Sequence, residues 1–166
     1  MNPENKKEGM GKLKELAWDI RICMMATGLF KEPFSAVPMT TKKIDSNGDI
    51  WFLSREDSEH NRNIKVDNKT ELLYSDPTKM EFLSVSGKSE IINEKNKLKE
   101  LYDEEADSWL EGPDDPRLTA IKFTPEKAHY WDTQTNKYEA LYHLGIATIA
   151  GEEKHSGEEG DLDLNH

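Results

Sequence analysis

The chain has 166 residues, of which 22 are basic and 33 are acidic, and its formal net charge is −11. A chain this acidic is repelled by nucleic-acid phosphates and by anionic membrane surfaces, so we expect neither as a partner. It contains no run of about 18 consecutive apolar residues, and its charged N-terminus lacks the apolar region of a secretion signal. Its single cysteine, Cys23, cannot form an internal disulfide, so we place the protein in the reducing cytoplasm.

The start of the chain predicts one helix followed by a buried segment. Residues 1–11 are charged, and we expect a flexible N-terminus there. Over residues 12–21, apolar side chains recur with the spacing of an amphipathic helix, at Leu13, Leu16, Ala17 and Ile20. Residues 22–27 are almost entirely apolar and either extend this helix or form a first buried strand; we favour the strand.

A β-hairpin is predicted over residues 34–54. Residues 34–40 have the composition of a strand, in which Pro38 cannot donate a ladder hydrogen bond and therefore belongs at an edge or a bulge. Asn47 and Gly48 form a dipeptide that supplies the positive φ of a tight turn. Residues 50–54 follow as the second strand of the hairpin.

Further helices and strands are predicted down to the C-terminus. A helix over residues 57–67 begins near Asp57 or Ser58, either of which can cap it. Strands over 71–75 and 80–92 form a hairpin through Asp76 and Pro77. Later elements are a helix over 94–102, an acidic solvent-facing excursion over 103–115, strands over 119–123, 127–132 and 137–141, and a helix over 144–150. Residues 151–166 complete the chain as a solvated acidic tail.

These elements predict a mainly β domain over residues 12–150. About seven strands with hairpin-length links are accompanied by two or three helices, and strands and helices do not alternate as a parallel doubly wound sheet requires. An antiparallel barrel with peripheral helices is the economical arrangement, because closing the sheet removes its exposed edges.

Standard catalytic signatures are missing from the chain. It has no glycine-rich phosphate loop, nucleophile elbow or His-Glu-x-x-His helix. Its five histidines are scattered, and none is spaced as a metal pair on one helix face, so we expect no metal site. Cys23 lies in an apolar run, where a thiol is usually buried and inert.

A set of short motifs is nevertheless spread across the middle of the chain. They are Val37-Pro38-Met39-Thr40, Trp51-Phe52-Leu53-Ser54, Val85-Ser86-Gly87, Trp109-Leu110-Glu111-Gly112 with Asp114-Asp115-Pro116, and Tyr130-Trp131-Asp132. Their order and spacing resemble the general-stress-protein branch of the pyridoxamine phosphate oxidase-like, FMN-binding split barrels. The resemblance covers residues 13–150, and it implies an antiparallel split β-barrel, a homodimer and FMN as the cofactor.

The resemblance also implies where a flavin would bind. We expect the cleft to be lined by residues of the first two motifs and by the start of the following helix, namely Pro38, Met39, Thr40, Trp51, Phe52, Leu53, Ser54 and Ser58. We expect Trp109, Leu110, Glu111 and Gly112 to cover the same cleft from the other subunit. Such a cleft suits an isoalloxazine, which needs apolar walls and a few polar partners. Ser54 and Ser58 would then be phosphate-side hydroxyls, and Thr40 would meet the polar edge of the ring.

Two positions depart from the family pattern. The family usually has arginine, a part of the usual flavin site, at the position of Val37, and family members often have lysine at the position of His60. Two missing charge-assisted contacts, each worth about 1.5–3 kcal/mol, would weaken FMN retention. Three basic residues near the following helix are candidates to compensate, namely Arg55, Arg62 and Lys65.

The leading functional hypothesis is a small FMN-binding flavoprotein of the stress-protein type, with an oxidoreductase activity left open. Pyridoxamine phosphate oxidase activity itself is not expected, because no arginine follows Trp131 to grip a substrate phosphate. The alternatives are a binding module for another flat cofactor, such as haem or a deazaflavin, and a degenerate dimeric scaffold without catalysis.

Overall fold

The computed structural model describes residues 3–132 and 158–164. In these residues the α-helices are α1 (Pro3–Ile20), α2 (Glu59–Val66) and α3 (Lys95–Leu101), and a short 3-10 helix spans Glu104–Ser108. The strands are β1 (Ile22–Thr27), β2 (Ser35–Thr40), β3 (Lys43–Ile44), β4 (Ile50–Arg55), β5 (Lys69–Asp76), β6 (Glu81–Ile92), β7 (Leu118–Asp132) and β8 (Glu158–Asp163). None of the helices within these ranges has both the length and the apolar character that a bilayer crossing needs.

All the strands belong to one antiparallel sheet in the order β2-β1-β5-β6-β7-β4-β3. The long strand β7 pairs along its first part with β4 and along its last part with β8, while β6 pairs along its other edge. The sheet curls into a split barrel whose helices lie outside the strands. The predicted fold class, mainly β with an antiparallel split barrel and peripheral helices, is confirmed.

Two hydrophobic cores hold the sheet in place. The main core lies on its inner face and is closed by α1, which buries Leu13, Leu16 and Ala17 against it. A smaller core lies between β4 and α3. Strand β4 is buried on both faces because Ile50 and Phe52 enter the main core while Trp51 and Leu53 enter the smaller one. This double burial explains the unbroken apolar run of β4.

An irregularity between β6 and β7 fixes the curl of the sheet. The register shifts between Ser86 and Gly87, and Gly87 lies opposite Pro125. A Cβ at Gly87 would lie 2.2 Å from the backbone oxygen of Thr124, so only glycine fits. Pro125 is tolerated here because a bulge does not require its missing N–H.

The predicted hairpin over residues 34–54 is wrong in its pairing. Strand β2 pairs with β1, and the short strand β3, which we did not predict, pairs with β4. The Asn47-Gly48 turn does form, with Gly48 at a φ of +90° and its N–H donating to the carbonyl of Asp45. The turn was therefore predicted correctly, but it connects a different pair of strands.

Several element boundaries also need correction. Helix α1 begins at Pro3, so residues 3–11, which we predicted to be a flexible N-terminus, are helical. The strands predicted over 119–123 and 127–132 are one continuous strand, β7. Part of the predicted solvated tail, β8, pairs with β7, and Leu164 is buried in the main core. The strand predicted over 137–141 and the helix over 144–150 lie outside the described residues.

Candidate functional site

A cleft of about 690 Å³ opens where the end of α1, strands β2 and β4, the start of α2 and the 3-10 helix converge. Eight of the predicted site residues line it, namely Pro38, Met39, Thr40, Leu53, Ser54, Ser58, His60 and Trp109. Ligand clefts in proteins commonly have volumes of about 300–1,000 Å³, so this one can hold a cofactor-sized molecule. The described residues contain no group of three or more His, Cys, Asp or Glu side chains that could hold a metal ion.

The other predicted site residues do not line this cleft. Val37 packs against the main core, and Phe52 is buried in it. Trp51 and Leu110 are buried in the smaller core. The remaining two are also absent from the cleft walls, Glu111 and Gly112. The cleft is lined by the C-terminal ends of β2 and β4, and Val37 and Phe52 precede these ends.

Trp109 lines the cleft of its own chain. The resemblance implied instead that residues 109–112 would reach the cleft of the other subunit. Here the 3-10 helix brings Glu105, Ser108 and Trp109 to the cleft together. A single chain therefore already supplies an aromatic wall opposite its strands.

The serine side chains of the cleft are engaged in structural hydrogen bonds. Ser54 Oγ lies 2.7 Å from Thr119 Oγ1, and Asn61 Nδ2 donates to the same Thr119 oxygen at 2.9 Å. These bonds connect β4, β7 and α2 beneath the cleft. Ser58 Oγ accepts from the backbone N–H of Asn61 at 3.2 Å and so caps α2, as predicted. The Ser58 hydroxyl keeps a proton that it can donate to a ligand.

Arg21 is a cleft residue that the sequence reasoning did not select. It follows α1 in a left-handed conformation with a φ of 68°, and its N–H donates to the carbonyl of Ala17. Its guanidinium lies over the Trp18 ring, 4.8 Å from the centroid, and its buried Nε has no hydrogen-bond partner among residues 3–132 and 158–164. Because a buried donor without a partner is costly, this N–H is available for an acceptor in the cleft. The only signal in the sequence was a basic residue at the end of the predicted helix, directly before the first strand.

Two other basic side chains line the cleft, but acids already bind them. Arg55 donates to the Asp57 carboxylate through Nε at 3.0 Å and Nη2 at 2.7 Å. Lys42 donates to acids of the 3-10 helix region. Of the compensating residues we predicted, Arg55 reaches the cleft, whereas Arg62 and Lys65 are not among its lining residues.

His60 contributes a second unpartnered polar atom. It lines the cleft, and its buried Nε2 has no hydrogen-bond partner within the described residues. Burial lowers the pKa of His60 because the charged imidazolium loses solvation; Glu59 opposes this shift, and Arg62 adds to it. The ring is therefore held in its neutral form near neutral pH, where one nitrogen can accept or donate a hydrogen bond.

Comparison with protein families explains this arrangement. The family model described as pyridoxamine 5'-phosphate oxidase like matches residues 8–155, which is most of the chain. The chain belongs to this family. No curated protein sequence matches it significantly.

Solved structures with the same fold include members of this family. A candidate general stress protein 26 from Jannaschia sp. CCS1 has 21% identity and a TM-score of 0.73, with 95% of this chain and 99% of the other covered. The general stress FMN/FAD binding protein from Xanthomonas citri has 23% identity and a TM-score of 0.67, with 78% and 92% covered. A protein related to general stress protein 26, from Clostridium acetobutylicum, has 24% identity and a TM-score of 0.65, with 78% and 92% covered. At these identities the likeness establishes the split-barrel fold.

Proposed function

We propose that this protein binds FMN in the cleft beside Arg21 and acts as a small flavoprotein of the stress-protein type. The observation that carries the proposal is the buried guanidinium N–H of Arg21, a cleft-lining residue, which has no hydrogen-bond partner in the part of the chain that the structure describes. A buried cationic donor is suited to an anionic group such as a phosphate or to a polar ring edge. Membership of a flavin-associated family and the flavin-binding neighbour from Xanthomonas citri support the same ligand.

The walls of the cleft match the ring of a flavin. Two sides are apolar, with Met39 and Leu53 on the strands and Ile20 at the end of α1. Trp109 supplies an aromatic surface, on which a flat ring can pack or stack. The Thr40 hydroxyl is the candidate partner for the polar edge of the ring.

At the phosphate end, we assign the cationic contact to Arg21 and a hydroxyl contact to Ser58. Arg21 can replace the family arginine that is missing at Val37, because a guanidinium can enter the same cleft from a different strand end. Ser58 begins α2, and a helix N-terminus favours an anion. Ser54 is a weaker candidate than we predicted from the sequence, since its hydroxyl is bonded to Thr119.

The residues of the chain would bind and orient the cofactor rather than carry out the chemistry. A bound flavin supplies its own redox chemistry, and the protein positions the ring and excludes water. The neutral His60 can hold or donate one proton at Nε2 at the edge of the cleft. We propose an oxidoreductase role in which the flavin carries out the redox step. We propose no pyridoxamine phosphate oxidation, because the chain offers no arginine after Trp131.

We also propose that two copies form a dimer through the outer face of β2, β1 and β5. Pro38, Met24 and Leu73 form a row across these strands, and Met24 and Leu73 are 41% and 46% exposed. Ile22, which is 58% exposed, and Pro38 also line the cleft, so the apolar face continues into the site. Burying such a face in a two-fold contact would enclose the cofactor from its open side. We place this dimer in the cytoplasm.

The flavin assignment is tested by titrating FMN into the wild type, Arg21→Gln and Arg62→Gln. Arg62 is the matched control because it is an exposed arginine that donates to the Asp57 carbonyl and does not line the cleft. We expect Arg21→Gln to weaken binding by about 10- to 150-fold, the equivalent of 1.5–3 kcal/mol, and Arg62→Gln to bind as the wild type does. Equal affinities for the two variants would remove Arg21 from the site.

The absorption spectrum of the purified protein tests the ligand itself. Flavin bands, or their appearance after FMN is added, support the proposal. A haem Soret band would favour another flat cofactor in the same cleft, and the absence of any binding would favour the scaffold without catalysis. Light scattering tests the dimer, for which we expect twice the chain mass of 19.1 kDa. Met24→Glu should convert the dimer to a monomer.

A further inference from the structure

Lys42 lies at the point where the chain crosses from β2 to β3. Its backbone N–H donates to the Trp51 carbonyl at 2.8 Å, so its position is fixed to β4. Its side chain is only 6% exposed and lines the cleft. A buried ammonium needs anionic partners, because desolvation of an unpaired charge is costly.

The partners of this ammonium lie on one segment, which we call the arm and define as residues 103–112. Lys42 Nζ donates to both carboxylate oxygens of Asp103, at 2.8 and 2.7 Å, and to Glu105 Oε2 at 2.9 Å. The arm also carries Ser108 and Trp109 to the cleft. Lys42 therefore connects the strand side of the cleft to the segment that forms its opposite wall.

Besides Lys42, the first half of the arm is held by the buried Ala106 and by a hydrogen bond that the Tyr102 hydroxyl donates to Asp107. The 3-10 helix has no side-chain cap at Asp103, and only Ala106 is buried within it. Leu110 anchors the second half in the smaller core. Without Lys42, the two neighbouring carboxylates would repel each other in a partly desolvated position, and the start of the arm would move into solvent.

We propose that Lys42 is a positioning residue that holds the arm against the cleft and thereby sets how long a bound flavin is retained. Its ammonium is occupied by the arm and so leaves the cationic contact with the ligand to Arg21. The retention part of this inference rests on the proposed function, whereas the placement of Trp109 can be measured without any ligand.

The experiment compares Lys42→Met with Lys43→Met by fluorine NMR of protein labelled with 5-fluorotryptophan. The chain contains four tryptophans, whose resonances are assigned with Trp→Phe variants. Lys43 is the matched control because it is the adjacent lysine and pairs with Glu100, which lies on α3 rather than on the arm. In ligand-free protein, we expect Lys42→Met to shift the Trp109 resonance toward a solvent-exposed position. The Trp131 resonance should stay unchanged, and Lys43→Met should match the wild type.

The second measurement is the rate at which FMN leaves each variant. We expect Lys42→Met to release FMN at least about tenfold faster, because an arm that has moved away no longer covers the ligand in the cleft. Lys42→Arg keeps the charge and should restore most of the retention. Raising the salt concentration should speed release from the wild type more than from Lys42→Met.

Each outcome decides one part of the inference. The positioning role is overturned if the Trp109 resonance has the same position in Lys42→Met and Lys43→Met, whether or not that position differs from the wild type. A shifted resonance with an unchanged release rate overturns the retention role. If the wild type binds no FMN, the proposed function fails, and the NMR comparison still decides the position of the arm.

A second variant covers the case in which Lys42→Met does not fold. Asp103→Asn combined with Glu105→Gln removes the charges on the arm from side chains that are 37% and 65% exposed, so the changes themselves leave no cavity, and the Lys42 ammonium becomes solvated when the arm moves away. We expect the same shift of the Trp109 resonance and the same faster release. Wild-type behaviour of this double variant would overturn the inference.

Discussion

The two walls of the cleft are built in different ways. The strand wall, from β2 and β4, is fixed by antiparallel pairing, with Met39 opposite Cys23 and Ser54 opposite Thr119. The arm is held by one buried lysine, by Leu110 and by few backbone hydrogen bonds to the rest of the chain. Changes in the strand wall should therefore alter stability first, and changes in the arm should alter ligand binding first.

The largest effect is expected where the strand wall meets the main core. Phe52 directly precedes the cleft residues of β4 and is fully buried on the inner face. Phe52→Ala should lower the free energy of unfolding by about 3–5 kcal/mol, because it removes core contacts and leaves a cavity. Urea denaturation measures this loss. Phe30→Ala is the control, since Phe30 is exposed, and a loss at Phe30 as large as that at Phe52 would contradict the placement of the core.

A substitution at position 37 tests how far along β2 the cleft extends. Val37 packs against the main core, so Val37→Arg should lower the free energy of unfolding by about 1–3 kcal/mol through overpacking. We expect no gain in FMN affinity, because Val37 packs against the main core and precedes the part of β2 that lines the cleft, Pro38 to Thr40. Ala36→Arg is the matched control on the exposed face of the same strand. Tighter FMN binding by Val37→Arg with an intact fold would instead return this position to the ligand site.

The sequence predicted the sheet better than it predicted the site. Alternating and apolar runs located most strands and α2. Ser58 was one of the two caps predicted for α2, with Asp57, because capping depends on residues close in the chain. The pairing of β2 was missed, because the Asn-Gly turn specifies a hairpin locally but does not determine which strand lies on the far side. Residues 3–11 and β8 were missed because their order depends on contacts with distant parts of the sheet.

The candidate site shows the same division between local and distant information. The motif residues at the cleft-lining ends of β2 and β4 were predicted. Val37 and Phe52 were included with them because a motif does not state how far along a strand the cleft extends. Arg21 could not be selected, since its orientation depends on its own left-handed backbone conformation, where the chain passes from α1 to β1. Lys42 was overlooked because its partners lie about 60 residues further along the chain.

A substitution in the arm should affect FMN binding more than stability, which is the reverse of the expectation for Phe52→Ala. Trp109 is only partly buried and packs at the edge of the smaller core. Trp109→Ala should weaken FMN binding by about tenfold, the equivalent of about 1.4 kcal/mol, through lost ring contact. The loss of stability should be smaller than that of Phe52→Ala. Fluorescence titration and thermal melts measure the two effects, and Trp131→Ala is the control, since Trp131 is exposed and does not line the cleft.

The smallest effect concerns proton binding by His60, in the first turn of α2. Burial lowers the pKa of His60 from its ordinary value of 6.5, with Glu59 opposing and Arg62 reinforcing the shift. Below pH 6.5 the unfolded histidine binds a proton that the folded one resists, so stability falls as the solution is acidified. His60→Gln should make the free energy of unfolding decline less steeply between pH 7 and pH 5. The slopes should differ by at most the effect of one bound proton, about 1.4 kcal/mol per pH unit. Urea denaturation at successive pH values measures both slopes, and the acids titrate equally in the two proteins, so their difference isolates His60. Parallel curves would mean that His60 is solvated and that its Nε2 is not buried in the cleft.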